Sequence, residues 1–376
     1  MGEQMSDTAK PRLVSLDILR GLTVVGMILV NSMAGMKWGA KAEVYPLLIH
    51  AQWDGLMLAD LVFPGFLMMV GVAIPLAAAS ARDGTRKQTS AILARAARLF
   101  LLGFFLSNLY WFADLSNGAW RLFGVLQRIG LVYAACALLF LACGPRVRMG
   151  IIAAVLILYW PLTLLPALDG LPGDIWARGH NFVGSVDRVL LGAGNHIYVK
   201  GPEGYDPEGL LGTLPAIAHG LIGVAIGEYL LRRPAGAART LALAGVGMLA
   251  LGIAWGFVFP VVKDIWSSSF VLVTCGITTL ALAGLHAWLD RETPPQGATR
   301  WFVLFGTAFG INAIAAYVIH ELTAEWVTWQ ILLVPFQAMR GALGDGLASF
   351  APVLIYIAMI WACADYLRRR KWIIKI

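Results

Sequence analysis

The chain has 376 residues, of which 59% are hydrophobic and only 14% charged, and its formal net charge is +7. A water-soluble globular protein carries about a quarter charged residues, so a cytosolic enzyme of two or three domains is excluded. The basic excess is spread between long apolar runs rather than gathered into one patch, which argues against a nucleic-acid partner.

Ten segments approach the roughly 20 residues that cross a bilayer core. They are 18–36, 55–79, 91–111, 122–143, 148–166, 210–231, 239–260, 266–289, 301–321 and 347–368. Helices suit these lengths, because hydrocarbon leaves open backbone groups unsatisfied and barrel strands run about half as long. The predicted fold is all-α, a polytopic transmembrane helical bundle forming one domain over 1–376. Residues 1–11 read as a flexible N-terminus, 167–209 as a long loop and 369–376 as a basic tail. Trp329–Met339 is apolar but too short to span, and reads as an interfacial or re-entrant piece. Leu22–Val30 resembles a signal-peptide core, but Asp17 and Arg20 open it and equally apolar segments follow, so it reads as an uncleaved first span.

With the N-terminus placed inside, most lysines and arginines fall on the inner side, from Lys10 and Arg12 through Arg82, Arg146 and Arg233 to the run Arg368–Lys371 and Lys375. That bias puts both termini in the cytoplasm of a cell membrane. The four cysteines lie inside apolar runs without metal-site spacing and read as core residues.

Ionisable groups at membrane depth are costly and mark functional candidates. Asp17 and Arg20 share a face at the start of the first span and can pair. Asn31 lies in its outer third. His50 precedes the second span, with Asp54 four residues on, where a carboxylate would hold one imidazole nitrogen and prepare the other as a base. Asp60 follows, and Arg128 in the fourth span is its expected partner. The long outer loop mixes Asp169, Asp174, Asp187, Glu203, Asp206 and Glu208 with Trp176, Tyr198 and Tyr205, a composition suited to a cationic or sugar ligand. Glu228 is expected to pair with Arg232. Walker, Rossmann, HExxH and GxSxG patterns are absent, and nothing in the sequence suggests a metal.

Several of these stretches resemble one family. Arg12-Leu-Val-Ser-Leu-Asp17-Ile-Leu-Arg20-Gly21, Val30-Asn31, His50-Ala-Gln-Trp53-Asp54-Gly55, Ala59-Asp60-Leu-Val-Phe63-Pro64, Gly124-Val-Leu-Gln127-Arg128, Tyr205-Asp206-Pro207-Glu208-Gly209 and Lys263-Asp264-Ile-Trp266 occur in that order. They are similar to motifs of the heparan-α-glucosaminide N-acetyltransferases and their bacterial relatives, the transmembrane acyltransferases. The resemblance implies transfer of acetyl from cytosolic acetyl-CoA to the amine of a glucosamine-type acceptor across the membrane. It implies His50 and Asn31 as the reacting pair; beside them, Asp54 or Asp60 is expected to orient His50 or to bind the ammonium form of the sugar. Asp206, Glu208, Lys263 and Trp53 are expected at the acceptor, and Arg20, Arg95, Arg98, Gln127 and Arg128 at CoA, with no metal. A homodimer is left open. The rival reading is an amino-sugar or proton-coupled transporter that uses the same buried charges without acyl transfer.

Overall fold

The computed structural model describes residues 13–78, 85–232, 234–291 and 295–374. The expected N-terminal stretch 1–11, the end of the basic tail (375–376), and Lys10, Arg12, Arg82, Arg233 and Lys375 of the charge pattern lie outside the described residues. Fourteen α-helices are described: α1 (Val14–Trp38), α2 (Ala59–Ala78), α3 (Thr85–Ser107), α4 (Leu109–Ala113), α5 (Val125–Ala142), α6 (Pro145–Thr163), α7 (Phe182–Leu191), α8 (Thr213–Leu231), α9 (Ala237–Gly256), α10 (Ser268–Leu289), α11 (Gly297–Ile311), α12 (Ala313–Gln330), α13 (Leu333–Ala348) and α14 (Phe350–Arg369). Among the described residues nine helices are long and apolar enough to cross a membrane, or ten if the bent pair α11–α12 counts as one span.

The predicted ninth span, 301–321, is broken. α11 and α12 meet at Asn312 with a bend of 75°. Asn312 is fully buried there, and its Oδ1 accepts the Ile374 N–H at 3.1 Å, which ties the C-terminal segment to the bend. The apolar piece expected at Trp329–Met339 is divided between the end of α12 and α13, and α13 is itself kinked at Gly344, where φ is 72°. The expected loop 167–209 contains one helix, α7, started by the Asn181 side chain accepting the Gly184 N–H.

Close helix contact is bought with glycine. A Cβ on Gly71 of α2 would meet the Gly220 carbonyl of α8, and one on Gly223 would meet the Met68 carbonyl, so the two backbones touch directly. α1 and α11 cross in the same way, through Gly21, Gly306 and Gly310.

Two large apolar cores result, beside a third, small cluster of Trp53, Tyr159, Tyr205 and Phe259. The larger joins Leu67, Val72, Ile129, Val132, Leu221 and Phe270, contributed by α2, α5, α8 and α10. The smaller joins Ile28, Met33, Met36, Phe309 and Tyr356, contributed by α1, α11 and α14. α12 lies between them, packing Ile314, Tyr317 and Val318 on the first core and Ala316 and Ile319 on the second.

Candidate active site

His50 sits in the loop from α1 to α2. The 3-10 turn Pro46–Leu48 and Ile49 are fastened by burial of Leu48 and Ile49 in the core that holds Met33 and Met36. This presents the following imidazole outward, with 44% of its side chain exposed. α2 then starts at Ala59, with Asp60 buried in its first turn. Asp60 Oδ2 accepts the N–H groups of Ala51 and Met57 at 3.1 and 3.0 Å, and Oδ1 lies 2.8 Å from His50 Nδ1. An ionised carboxylate only accepts, so Nδ1 donates to Asp60, and in the neutral imidazole the lone pair then sits on Nε2. Lys263 Nζ approaches from the other side, 3.2 Å from Nδ1 and 3.8 Å from Asp60 Oδ1. One buried carboxylate thus serves an imidazole and an ammonium together.

Asp54 does not hold the imidazole. Its Oδ1 accepts the Val261 N–H at 3.0 Å, while Gly55 N–H donates to Val261 O at the same distance. The His50 loop is thereby stitched to the segment that carries Lys263. The turn after it is strained: Trp266 adopts a left-handed φ of 54°. Its ring is fixed between Phe63 and Phe270, at 5.1 and 5.2 Å, and under the Arg128 guanidinium. Such strain persists only where packing over-determines it.

Arg128 is not the partner of Asp60 either. It is fully buried, donates Nη2–H to Gly209 O at 3.1 Å and stacks 5.1 Å from the Trp266 ring. Gln127 beside it is buried, donating to Leu122 O at 3.3 Å. Arg95 and Arg98 are exposed on α3, the first stacked on Tyr133 and the second bonded to Ala94 O. Arg20 pairs with Asp17 at 3.6 Å, as expected, and donates to Gly310 O at 3.1 Å. Of the five residues expected at CoA, Gln127 and Arg128 are thus buried, Arg95 and Arg98 exposed and Arg20 half-buried. Glu228 pairs with Arg148 at 2.5 Å rather than with Arg232.

The acids expected to bind an acceptor are committed elsewhere. Asp206 and Glu208 are both held by Arg121, at 2.6 and 2.5 Å. Burial alone would lift the Glu208 carboxyl, but Arg121, then Arg128 and Lys263, pull it below the usual carboxylate range. Burial likewise works against the Arg121 cation, and the two acids raise its pKa regardless. Tyr205 receives the Arg178 Nε–H at 2.7 Å and donates its hydroxyl to Asp264 at 2.5 Å. Trp53 is buried, donating Nε1–H to Ile175 O at 2.9 Å with its ring edge-on to Tyr205. These residues form a wall beside the His50 loop, which Trp53 joins to Tyr205.

Asp187, on α7, anchors that wall by accepting the N–H groups of Leu210 and Asp206 at 3.1 and 3.4 Å. Burial, reinforced by the charge of Asp206, pushes its carboxyl up to about 7. An unfolded Asp ionises near ~3.9, so between these values the folded state holds the extra proton. This group's contribution to stability is complete below the lower value and falls as pH rises towards 7. Asp187→Asn is expected to flatten that part of the pH dependence of thermal unfolding; an unchanged slope would contradict the assignment.

Asn31 is exposed on α1. By the helical period it shares a face with Arg20 and Met27. It lies one to two turns before Met36, at the same end of α1 as the His50 loop. The sequence reading missed Tyr317 and Glu321, which are hydrogen-bonded to each other on α12. Tyr317 lies within electrostatic reach of Glu208 and Arg121. The available signal was a Tyr and a Glu four residues apart in or at the end of an apolar segment.

Residues 12–182 match the family model described as heparan-alpha-glucosaminide N-acetyltransferase, catalytic. Over 96% of its length the chain is 29% identical to human heparan-alpha-glucosaminide N-acetyltransferase, covering 59% of that protein. It is 27% identical to the mouse protein of the same name, again over 96% of the chain, covering 60% of that protein. The chain thus spans about three fifths of the length of these curated relatives.

Proposed function

We propose that this chain, a member of the heparan-alpha-glucosaminide N-acetyltransferase family, is a membrane-embedded acetyltransferase. It moves acetyl from acetyl-CoA, entering from the cytoplasmic side, to the amine of a glucosamine-type acceptor on the other side of a cell membrane. The observation that carries this reading is the His50–Asp60 pair, whose open Nε2 is a ready proton acceptor. As the acceptor nitrogen attacks the acetyl carbonyl carbon, Nε2 takes the amine proton. The new C–N bond forms, the C–S bond breaks, and the imidazolium returns its proton to the departing thiolate. Asn31, open on α1, donates to the carbonyl oxygen as charge develops there. Lys263 and the Asp54 stitch keep Asp60 and the His50 loop in register.

The test is product formation. Purified protein in lipid nanodiscs, given labelled acetyl-CoA and glucosamine, is expected to form N-acetylglucosamine and to leave glucose unmodified. Uptake of unmodified glucosamine into vesicles, with no acetylated product, would instead support the transporter reading.

A further inference from the structure

Lys263 brings a primary amine against the imidazole. Its Nζ lies 3.2 Å from His50 Nδ1, while its contact with Asp60 Oδ1, at 3.8 Å, is beyond hydrogen-bond length. Asp60 does not depend on that contact for its hydrogen bonds, because His50 Nδ1 and the N–H groups of Ala51 and Met57 lie at 2.8, 3.1 and 3.0 Å. The ammonium is therefore loosely held. It is also open to the site: 15% of the Lys263 side chain is exposed, beside the half-exposed imidazole.

The root of this side chain is fixed. Val262 and Ile265 are buried on either side of it, the Val262 N–H donates to Ser267 Oγ at 3.0 Å, and the Trp266 N–H donates to Lys263 O at 2.9 Å. With the bonds between Asp54, Gly55 and Val261, these hold the Lys263 backbone against the His50 loop. The stem beyond is four flexible carbons, which let Nζ swing around the ring from the Nδ1 edge towards Nε2. A thioester that presents its acetyl carbon to a sugar amine at His50 presents it to this amine as well. A well-oriented group on the same molecule reacts as if present at about 10⁵–10⁸ M, which offsets how rarely a lysine side chain is unprotonated at neutral pH.

We propose that Lys263 is a self-acetylation site, modified when acetyl-CoA is bound and no acceptor amine occupies the site. The ammonium first releases a proton to solvent. The neutral Nζ then attacks the acetyl carbonyl carbon, the C–N bond forms and the C–S bond breaks, and His50 Nε2 carries the second amine proton to the departing thiolate. The products are an acetyl-lysine amide and the CoA thiol. The amide has no charge to set against Asp60, so the modified protein loses one support of the His50–Asp60 pair and its turnover falls. The proposal rests on the acetyltransferase reading for its donor, acetyl-CoA, and not for the acceptor.

The experiment incubates the full chain in nanodiscs with labelled acetyl-CoA alone and maps the labelled lysines by peptide mass spectrometry. The exposed Lys41 and Lys200 measure uncatalysed acetylation. Lys263 is expected to acquire label at least about tenfold faster than either, since a positioned base contributes more than that. Glucosamine is expected to slow this labelling, and His50→Ala to bring it down to the rate of Lys41 and Lys200. Lys263→Arg keeps a cation near Asp60 and is expected to remove the label from this peptide alone. Labelling of Lys263 no faster than of Lys41 and Lys200, in protein that forms N-acetylglucosamine, overturns the inference and leaves the acetyltransferase reading intact. Fast labelling that survives in His50→Ala overturns it too, because the amine then reacts without the base. Fast, His50-dependent labelling in protein that forms no acetylated sugar supports the modification site and rejects the sugar acceptor. Absence of both label and sugar product rejects both.

Discussion

His50→Ala is expected to lower acetyl transfer about 10²–10⁴-fold, the usual contribution of a positioned general base, with little change in thermal stability. The reason lies in what the substitution leaves behind. Asp60 loses the imidazole but keeps the Ala51 and Met57 amides and the Lys263 ammonium, so no buried charge is stranded. The imidazole itself is nearly half exposed, and its removal opens no core cavity. Asp60→Ala is the informative contrast. It strips the partner that fixes the Nδ1 proton and leaves Lys263 against His50, so it should damage both turnover and folding. Turnover of labelled acetyl-CoA, set beside fluorescence-detected unfolding of each variant, separates the two. Full activity in folded His50→Ala protein would remove this residue from the mechanism.

Arg121→Ala is expected to be the most destabilising single change near the site. Arg121 holds two buried carboxylates at once, through Nε and Nη2 on Asp206 and Nη2 on Glu208, while its plane covers the Tyr198 ring at 4.6 Å. Removing one partner of a buried pair costs about 3–5 kcal/mol, because the remaining charge is left without compensation. Here two acids are left, with Arg128 near them but bonded to Gly209 O. The penalty should shrink as pH falls, because the stranded Glu208 can then take up a proton, and the thermal midpoints of variant and wild type should converge in acid. An unchanged midpoint at neutral pH would mean that Arg121 is not holding this wall together. Arg121→Lys retains the charge but loses the fork that engages both acids, and should fall between the two.

The bundle was legible because hydropathy is a property of whole segments. The predicted span 210–231 became α8 at Thr213–Leu231, and 122–143 became α5 at Val125–Ala142. Segment averages carry no information about a sharp bend, and so the break at Asn312 inside the predicted span 301–321 went unseen. The site shows the same division. His50 and Asp60 stood out as ionisable groups beside apolar runs, but the choice between Asp54 and Asp60 depends on the return of Val261 from more than 200 residues away. Local spacing favoured Asp54, and tertiary pairing gave it another task. Asp206 and Glu208 looked open to a ligand for the same reason: their partner, Arg121, lies more than 80 residues upstream.

Sealed proteoliposomes with the protein inserted in one known orientation test the central claim most directly. Acetyl-CoA is supplied only to the compartment facing the N-terminus, and glucosamine only to the opposite one. The account predicts N-acetylglucosamine in the glucosamine compartment, with CoA released where acetyl-CoA was added, and neither product when His50→Ala protein is used. Acetylation that occurs only when both substrates share a compartment would contradict transfer across the membrane at this imidazole.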